Sequence, residues 1–97
     1  MKVRYSALAR ADVVDILKYY EHEAGHRIAV DFFAELTQAI KRIAAAPSAF
    51  EEIAQGIRRC LIRRFPYQIN HEIVDINTIK ILVIKHQQRD PDFGLDR

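Results

Sequence analysis

Residues 57–86 decide the fold of this chain, and they read IRRCLIRRFPYQINHEIVDINTIKILVIKH. The stretch contains three strand-like runs, at about 57–64, 67–74 and 78–86. Phe65-Pro66 separates the first two runs, because proline lacks the donor that a central ladder requires. Asp75-Ile76-Asn77 is a turn candidate between the second and third runs. The third run is apolar on both faces, which predicts a central strand that is covered on both sides.

Two helices are predicted upstream of this stretch. Residues 2–6 alternate as a short strand does, and Ser6 then offers an N-cap. The apolar residues that follow recur at helical spacing, and Gly25 is placed to end the first helix in a left-handed cap. A second apolar stripe follows at once, and Pro47 prevents its extension. The short link between the stripes predicts an antiparallel helix hairpin.

The order of elements predicts an α+β fold in one domain, residues 1–97. We expect an N-terminal strand, the helix hairpin and a three-stranded antiparallel meander, with the helices packed on one sheet face and a loop at 48–56. No apolar run is long enough to span a bilayer, and the N-terminus lacks the apolar core of a signal peptide. We therefore expect a cytoplasmic protein. Cys60, the only cysteine, is expected to be buried.

The charge of the chain is concentrated in its second half. Residues 1–55 carry 7 basic and 8 acidic side chains, residues 56–89 carry 7 and 2, and residues 90–97 carry 1 and 3. The net charges of the three segments are therefore −1, +5 and −2. The basic segment would attract an acidic polypeptide or a nucleic acid.

Two short motifs resemble a known family. Gly56-Ile57-Arg58-Arg59, followed by Phe65-Pro66-Tyr67-Gln68-Ile69, is similar to the G-[IL]-R-R and [FY]-P-Y-x-[IV] motifs of ParE-like toxins. The segment 81–91 resembles the ending [IV]-L-x-[IV]-x-H-x-x-R-D-P of the same proteins. The match covers nearly the whole chain in the right order. The chain thus resembles the RelE/ParE toxin superfamily and, within it, the ParE or plasmid-stabilisation branch.

The resemblance implies a bacterial toxin that is encoded beside an antitoxin, whose C-terminal segment wraps and neutralises it in a hetero-oligomer. The superfamily contains two activities on one fold, so the fold cannot decide between them. ParE-like members inhibit DNA gyrase without known hydrolytic chemistry, and this is the function that we favour. The alternative is a RelE-like endoribonuclease that cleaves mRNA in the ribosome. A third possibility is a silenced member that survives as an interaction partner.

A metal-free ribonuclease needs a base, an acid and cations for the phosphorane charge. In that alternative His86 and Arg89 would carry the chemistry, and Arg63 or Arg64 would hold phosphate. RelE-like nucleases generally add a C-terminal Tyr or His near the reacting atoms. Here the tail position holds Phe93, which has no titratable group. The four histidines share no metal-ligand spacing with cysteine or carboxylates, so we predict no metal and no cofactor.

Candidate target-binding residues are the basic side chains of the meander and one tail aromatic: Arg58, Arg59, Arg63, Arg64, Lys85, His86, Arg89 and Phe93. Because strand side chains alternate, one arginine of each adjacent pair should face away from the helices. The alternative is that the arginines only solvate an exposed sheet face and that His86 hydrogen-bonds across the strand end.

The helix hairpin is the candidate antitoxin-binding surface. It leaves apolar residues beyond those that the core needs, and we assign Val30 together with Phe32 or Phe33 to this role. An amphipathic partner helix could lie in a groove formed by these residues. The basic meander would attract acidic residues of the same partner.

Overall fold

The computed structural model describes residues 1–89, which form a five-stranded mixed sheet and two α-helices. The elements are β1 Lys2–Tyr5, α1 Ala7–Glu23, α2 His26–Ala45, a 3₁₀ turn Pro47–Ala49, β2 Glu51–Ala54, β3 Ile57–Leu61, β4 Tyr67–Asp75 and β5 Thr78–His86. The strand order is β1-β5-β4-β3-β2, with β1 parallel to β5 and the other neighbours antiparallel. The predicted α+β fold, in which a helix hairpin precedes an antiparallel meander, is confirmed.

The first helix begins where the sequence predicts. Ser6 has extended backbone angles, and its Oγ accepts a hydrogen bond from Ala9 N at 2.9 Å. The same Oγ donates to Leu82 O on β5 at 2.6 Å, so the cap also ties α1 to the sheet. Gly25 joins the helices with φ 98° and ψ 163°. This conformation suits glycine, but it is not the left-handed helical cap that we predicted.

Strand β5 lies between β1 and β4, and it is the buried centre of the sheet. Ile79, Ile81, Val83 and Ile84 are each no more than 2% exposed, as the two-sided apolar pattern predicts. Asn70 pairs with Val83 and His71 with Ile81, so Leu82 is an extra residue in β5. This β-bulge lets Ile81 and Ile84 both reach the core on the helix side.

A single apolar core fills the space between the helix hairpin and the sheet. α1 contributes Ala9 and Ile16, and the sheet contributes Cys60 and Ile69 among others. α2 contributes a stripe consisting of Phe32, Leu36, Ala39 and Ile43. Both helices therefore cover the same sheet face, which we call the helix face. The helix-free face is the other side of the sheet.

Two predicted boundaries in the meander are wrong. Residues 48–56 are not a plain loop, because they contain the end of the 3₁₀ turn and the edge strand β2, which pairs with β3. The first run of the meander ends at Leu61 rather than at 64. Arg64 has a φ of 72°, which a continuing strand does not allow. The strand alternation that we assumed for Arg63 and Arg64 therefore does not apply.

Candidate functional site

An apolar groove lies between the two helices beside the end of β1, with a volume of about 390 Å³. Its lining residues, which include two cations, are Tyr5, Arg10, Val13, Phe33, Leu36, Thr37, Ile40 and Lys41. The apolar part is available because Phe33 is 51% exposed. A contiguous exposed apolar patch on a small domain commonly marks an interaction site.

A smaller hollow of about 240 Å³ adjoins this groove through Phe33, which lines both. Val30 lies in the hollow and is 51% exposed. At its rim His26 Nδ1 lies 2.8 Å from a Glu21 carboxylate oxygen. The groove and the hollow thus form one continuous surface along α2, which we call the hairpin surface.

The structure separates the two aromatic residues that were predicted together for this surface. Phe33 lies on the hairpin surface, whereas Phe32 is 0% exposed. The Phe32 ring packs against Tyr20, Phe65 and Tyr67 with ring centroids 5.3–5.6 Å apart. Assigning Phe32 to partner binding is therefore wrong, because neighbouring helical residues point about 100° apart and only one of the two reaches solvent.

A polar cleft lies on the other side of α1, against the end of β5. It brings together residues of both charges, namely Asp12, Asp15, Ile16, Tyr19, Tyr67, Ile84, Lys85, His86 and Arg89. His86 and Arg89, which the nuclease alternative requires, do share this cleft. Arg63 and Arg64 do not line it.

Asp12 links α1 to β5 within the cleft. Its Oδ2 accepts a hydrogen bond from Ile84 N at 2.9 Å, on the part of β5 that extends past the end of β1. Burial raises the pKa of Asp12 above its ordinary value, the Ile84 N–H opposes this shift, and Asp15 adds to it. No local sequence pattern indicates this role, since the acceptor and donor lie 72 positions apart.

His86 makes contacts that limit its use as a base. Gln88 N donates to His86 Nδ1 at 3.1 Å, so the Nδ1 lone pair is occupied and a neutral ring carries its hydrogen on Nε2. The ring also packs edge-on against Tyr67, with centroids 5.3 Å apart. Burial raises the pKa of Tyr67, which keeps that hydroxyl protonated. A neutral His86 therefore presents a donor, not a free lone pair, at its remaining nitrogen.

Arg58, Arg59 and Arg64 already have partners within the domain. Arg58 donates to Phe50 O at 2.7 Å, and Arg59 pairs with Glu51 at 2.6 Å. Arg58 and Arg59 lie on opposite sheet faces, as alternation predicts: Arg58 packs on the helix face and Arg59 lies on the helix-free face. Arg64 turns towards α2, where its guanidinium lies 3.7 Å from Asp31 and 3.6 Å from Glu35.

The remaining candidate residues differ in their solvent exposure. Arg63 and Arg89 are exposed, whereas Lys85 is only 4% exposed, so its ammonium group is not open to a target. Phe93 lies outside the described residues. Cys60 is 2% exposed, as expected, and burial raises the pKa of its thiol.

His71 is a packing residue of the helix face. It is fully buried, its Nε2 lies 3.1 Å from Pro47 O, and its ring packs against Phe50. Burial lowers its pKa. Within residues 1–89 no group of three or more histidine, cysteine or carboxylate side chains is placed to hold a metal ion. Neither helix in that range is long and apolar enough to cross a membrane.

Comparisons with known proteins agree with this architecture. The model of a family described as "ParE toxin of type II toxin-antitoxin system, parDE" matches residues 3–91. A solved structure titled "Chromosomal ParDE TA system from P. aeruginosa" superposes with a TM-score of 0.77 at 19% sequence identity. The match covers 89% of this chain and 95% of that one, and at this identity it shows the fold. The sequence matches no curated protein.

Proposed function

The chain belongs to the ParE toxin family of type II toxin–antitoxin systems, and from that premise we propose that it inhibits DNA gyrase by protein contact and is neutralised by an antitoxin on the hairpin surface. The fold alone would equally suit a ribonuclease, so the choice depends on the chemistry of the polar cleft. The observation that supports gyrase inhibition over ribonuclease activity is that His86 Nδ1 already accepts a hydrogen bond from Gln88 N.

A ribonuclease would need a group in the cleft to remove a proton from a ribose hydroxyl. His86 is the natural candidate, but its Nδ1 accepts from Gln88 N. Asp12, a second candidate in the cleft, lies on α1 and accepts a hydrogen bond from Ile84 N. Arg64, the phosphate-binding candidate of the ribonuclease alternative, lies against two carboxylates of α2. These contacts favour a toxin that acts through its surface rather than by hydrolysis.

The hairpin surface fits an amphipathic helix of the antitoxin. Phe33 and Ile40 lie two helical turns apart along the groove, with the buried Leu36 between them, so a partner helix would meet one apolar row. Arg10 and Lys41 also line the groove, and they would favour acidic residues beside the apolar positions of the partner. Such a partner would stabilise the toxin by mass action, because it binds only the folded chain.

We select candidate residues for gyrase contact by the solvent exposure of their side chains. Among the candidate target-binding residues, Arg63 and Arg89 are open to solvent, whereas the exposed side chains of Arg59 (40%) and Arg64 (60%) face carboxylates of the domain. Lys85, Arg58 and Arg64 serve the domain itself or are buried. We therefore propose Arg63 and Arg89, with Phe93 still a candidate, as the residues to test for gyrase contact.

The two activities are distinguished by running both assays on one preparation. Purified chain is added to gyrase with relaxed plasmid, and in parallel to a ribosome translating a defined mRNA. We expect inhibition of supercoiling and intact mRNA. Cleaved mRNA with unaffected supercoiling would replace the proposal with the ribonuclease. An Arg63→Ala variant, compared with Lys80→Ala on β5, checks the proposed contact.

A further inference from the structure

Strand β1 forms one edge of the sheet, because it pairs with β5 on one side and no other strand of the described range lies on its far side. Lys2 N donates to Asn77 O at 2.7 Å, which places the backbone groups of every second residue on the β5 side. Alternation therefore directs the N–H and C=O groups of Val3 and Tyr5 away from β5. An open row of backbone donors and acceptors of this kind is a template for another strand.

The open edge of β1 continues the hairpin surface. Val3 packs against the core, and Tyr5 pairs with the core residue Ile81, so both side chains lie on the helix face. Tyr5 is 36% exposed and lines the groove between the helices. A strand that pairs with β1 would thus direct every second side chain towards this apolar groove. Those side chains must be apolar to gain from the contact.

Cations lie on both sides of this edge. Lys2 and Arg4 are exposed, and alternation places them on the helix-free face. Arg10 and Lys41 line the groove on the helix face. Arg4, Arg10 and Lys41 form no ion pair with any residue in the range 1–89. A partner segment with carboxylates therefore matches the charge of the edge on either face.

The row of side chains that contains Arg4 has two cations at the open edge. Arg4 pairs with Lys80 of β5, which pairs with Glu72 of β4. Like charges directly opposite one another destabilise a sheet, and a carboxylate on an added strand opposite Arg4 would offset this repulsion. The same argument disfavours a second copy of the chain as the added strand, because pairing β1 with another β1 would bring Lys2 and Arg4 against the same cations.

We propose that an acidic, extended segment of the antitoxin joins the sheet as a strand beside β1. Apolar side chains alternate with carboxylates in this segment: the apolar ones pack on Tyr5 at the groove, and the carboxylates lie opposite Lys2 and Arg4. Backbone hydrogen bonds to Val3 and Tyr5 supply affinity, and the alternation fixes the register. This inference rests on the proposed neutralisation by an antitoxin, and it adds a strand to the partner helix on the hairpin surface.

Amide hydrogen exchange followed by NMR tests the added strand in the complex of the full chain with its antitoxin. In the free toxin the amides of Val3 and Tyr5 should exchange fast, whereas the Arg4 amide, bonded to β5, should exchange slowly. Antitoxin binding should slow Val3 and Tyr5 by at least about tenfold and leave the outward amides of the opposite edge strand, β2, fast. Fast exchange of Val3 and Tyr5 in a complex that has formed would overturn the added strand but not the antitoxin site on the hairpin surface. A folded chain that binds no antitoxin would overturn both.

Charge reversal at the edge tests the acidic chemistry of the segment. Arg4→Glu should speed antitoxin dissociation roughly three- to tenfold, because it sets a carboxylate opposite a carboxylate of the partner. Arg27→Glu is the matched control, since it makes the same change of charge at an exposed position of α2 that lines neither the groove nor the hollow. Equal dissociation rates for the two variants, both folded by their melting temperatures, would overturn the charge match. Slow exchange of Val3 and Tyr5 in free toxin that is lost on dilution would assign the edge to a second copy and would also overturn the proposal.

Discussion

Truncation of Phe33 should weaken antitoxin binding while leaving the toxin folded. A phenylalanine side chain presents about 200 Å², and roughly half of this remains exposed in the free toxin. If the antitoxin buries the exposed part of about 100 Å², at about 25 cal/mol per Å² the loss for Phe33→Ala approaches 2.5 kcal/mol. This corresponds to at most about 60-fold in Kd, since ordering costs at the interface reduce the value.

The measurement is the dissociation rate of the antitoxin from immobilised toxin variants, because interface substitutions act mainly on dissociation. Val14→Ala is the matched control: Val14 lies on α1, is 49% exposed and does not line the groove. Both variants should melt within a few degrees of the parent, about what an exposed substitution of ±0.5 kcal/mol produces. A Phe33→Ala variant that releases antitoxin no faster than Val14→Ala would refute the placement of the antitoxin on the hairpin surface.

Three further predictions concern the cleft and the core. Asp12→Ala should lower the melting temperature by about 5–15 °C, because Ile84 N loses its acceptor at a cost of about 1–3 kcal/mol. Asp12→Asn keeps an oxygen acceptor, so an equal drop in both variants would argue against this hydrogen bond. Burial lowers the pKa of His71 in the folded chain, so its contribution to stability is present at neutral pH and is lost progressively as the pH falls below about 6.5, the ordinary histidine pKa. His71→Gln should flatten that part of the stability profile, and an unchanged slope in thermal melts would contradict it. His86→Ala should leave toxicity intact in a growth assay, since its Nδ1 is already engaged; lost toxicity in a folded variant would restore the ribonuclease.

Sequence patterns predicted the elements whose signals are local. Ser6 caps α1, and the two-sided apolar run of 78–86 is the buried centre of the sheet, because capping and burial depend on neighbouring residues. The sequence pattern does not predict β2, because Glu51-Glu52-Ile53-Ala54 is short and acidic. It becomes a strand only by pairing with β3, where Arg59 and Arg58 meet Glu51 and Glu52.

The candidate site was harder to predict because its decisive contacts are distant in sequence. Helical periodicity places both Phe32 and Phe33 near the apolar stripe of α2, but it does not show which of the two rings the sheet covers. The positive φ of Arg64 directs its side chain to α2, and nothing in a run of alternating residues indicated that turn. The bond from Ile84 to Asp12 likewise depends on the docking of α1 against β5.

Inhibition of gyrase is best measured as the supercoiling of relaxed plasmid. The purified chain is titrated in, and antitoxin is then added back. We expect inhibition that rises with toxin and that the antitoxin reverses, with weaker reversal for Phe33→Ala at limiting antitoxin. Full supercoiling at a large excess of toxin, in a preparation that still arrests growth, would contradict it.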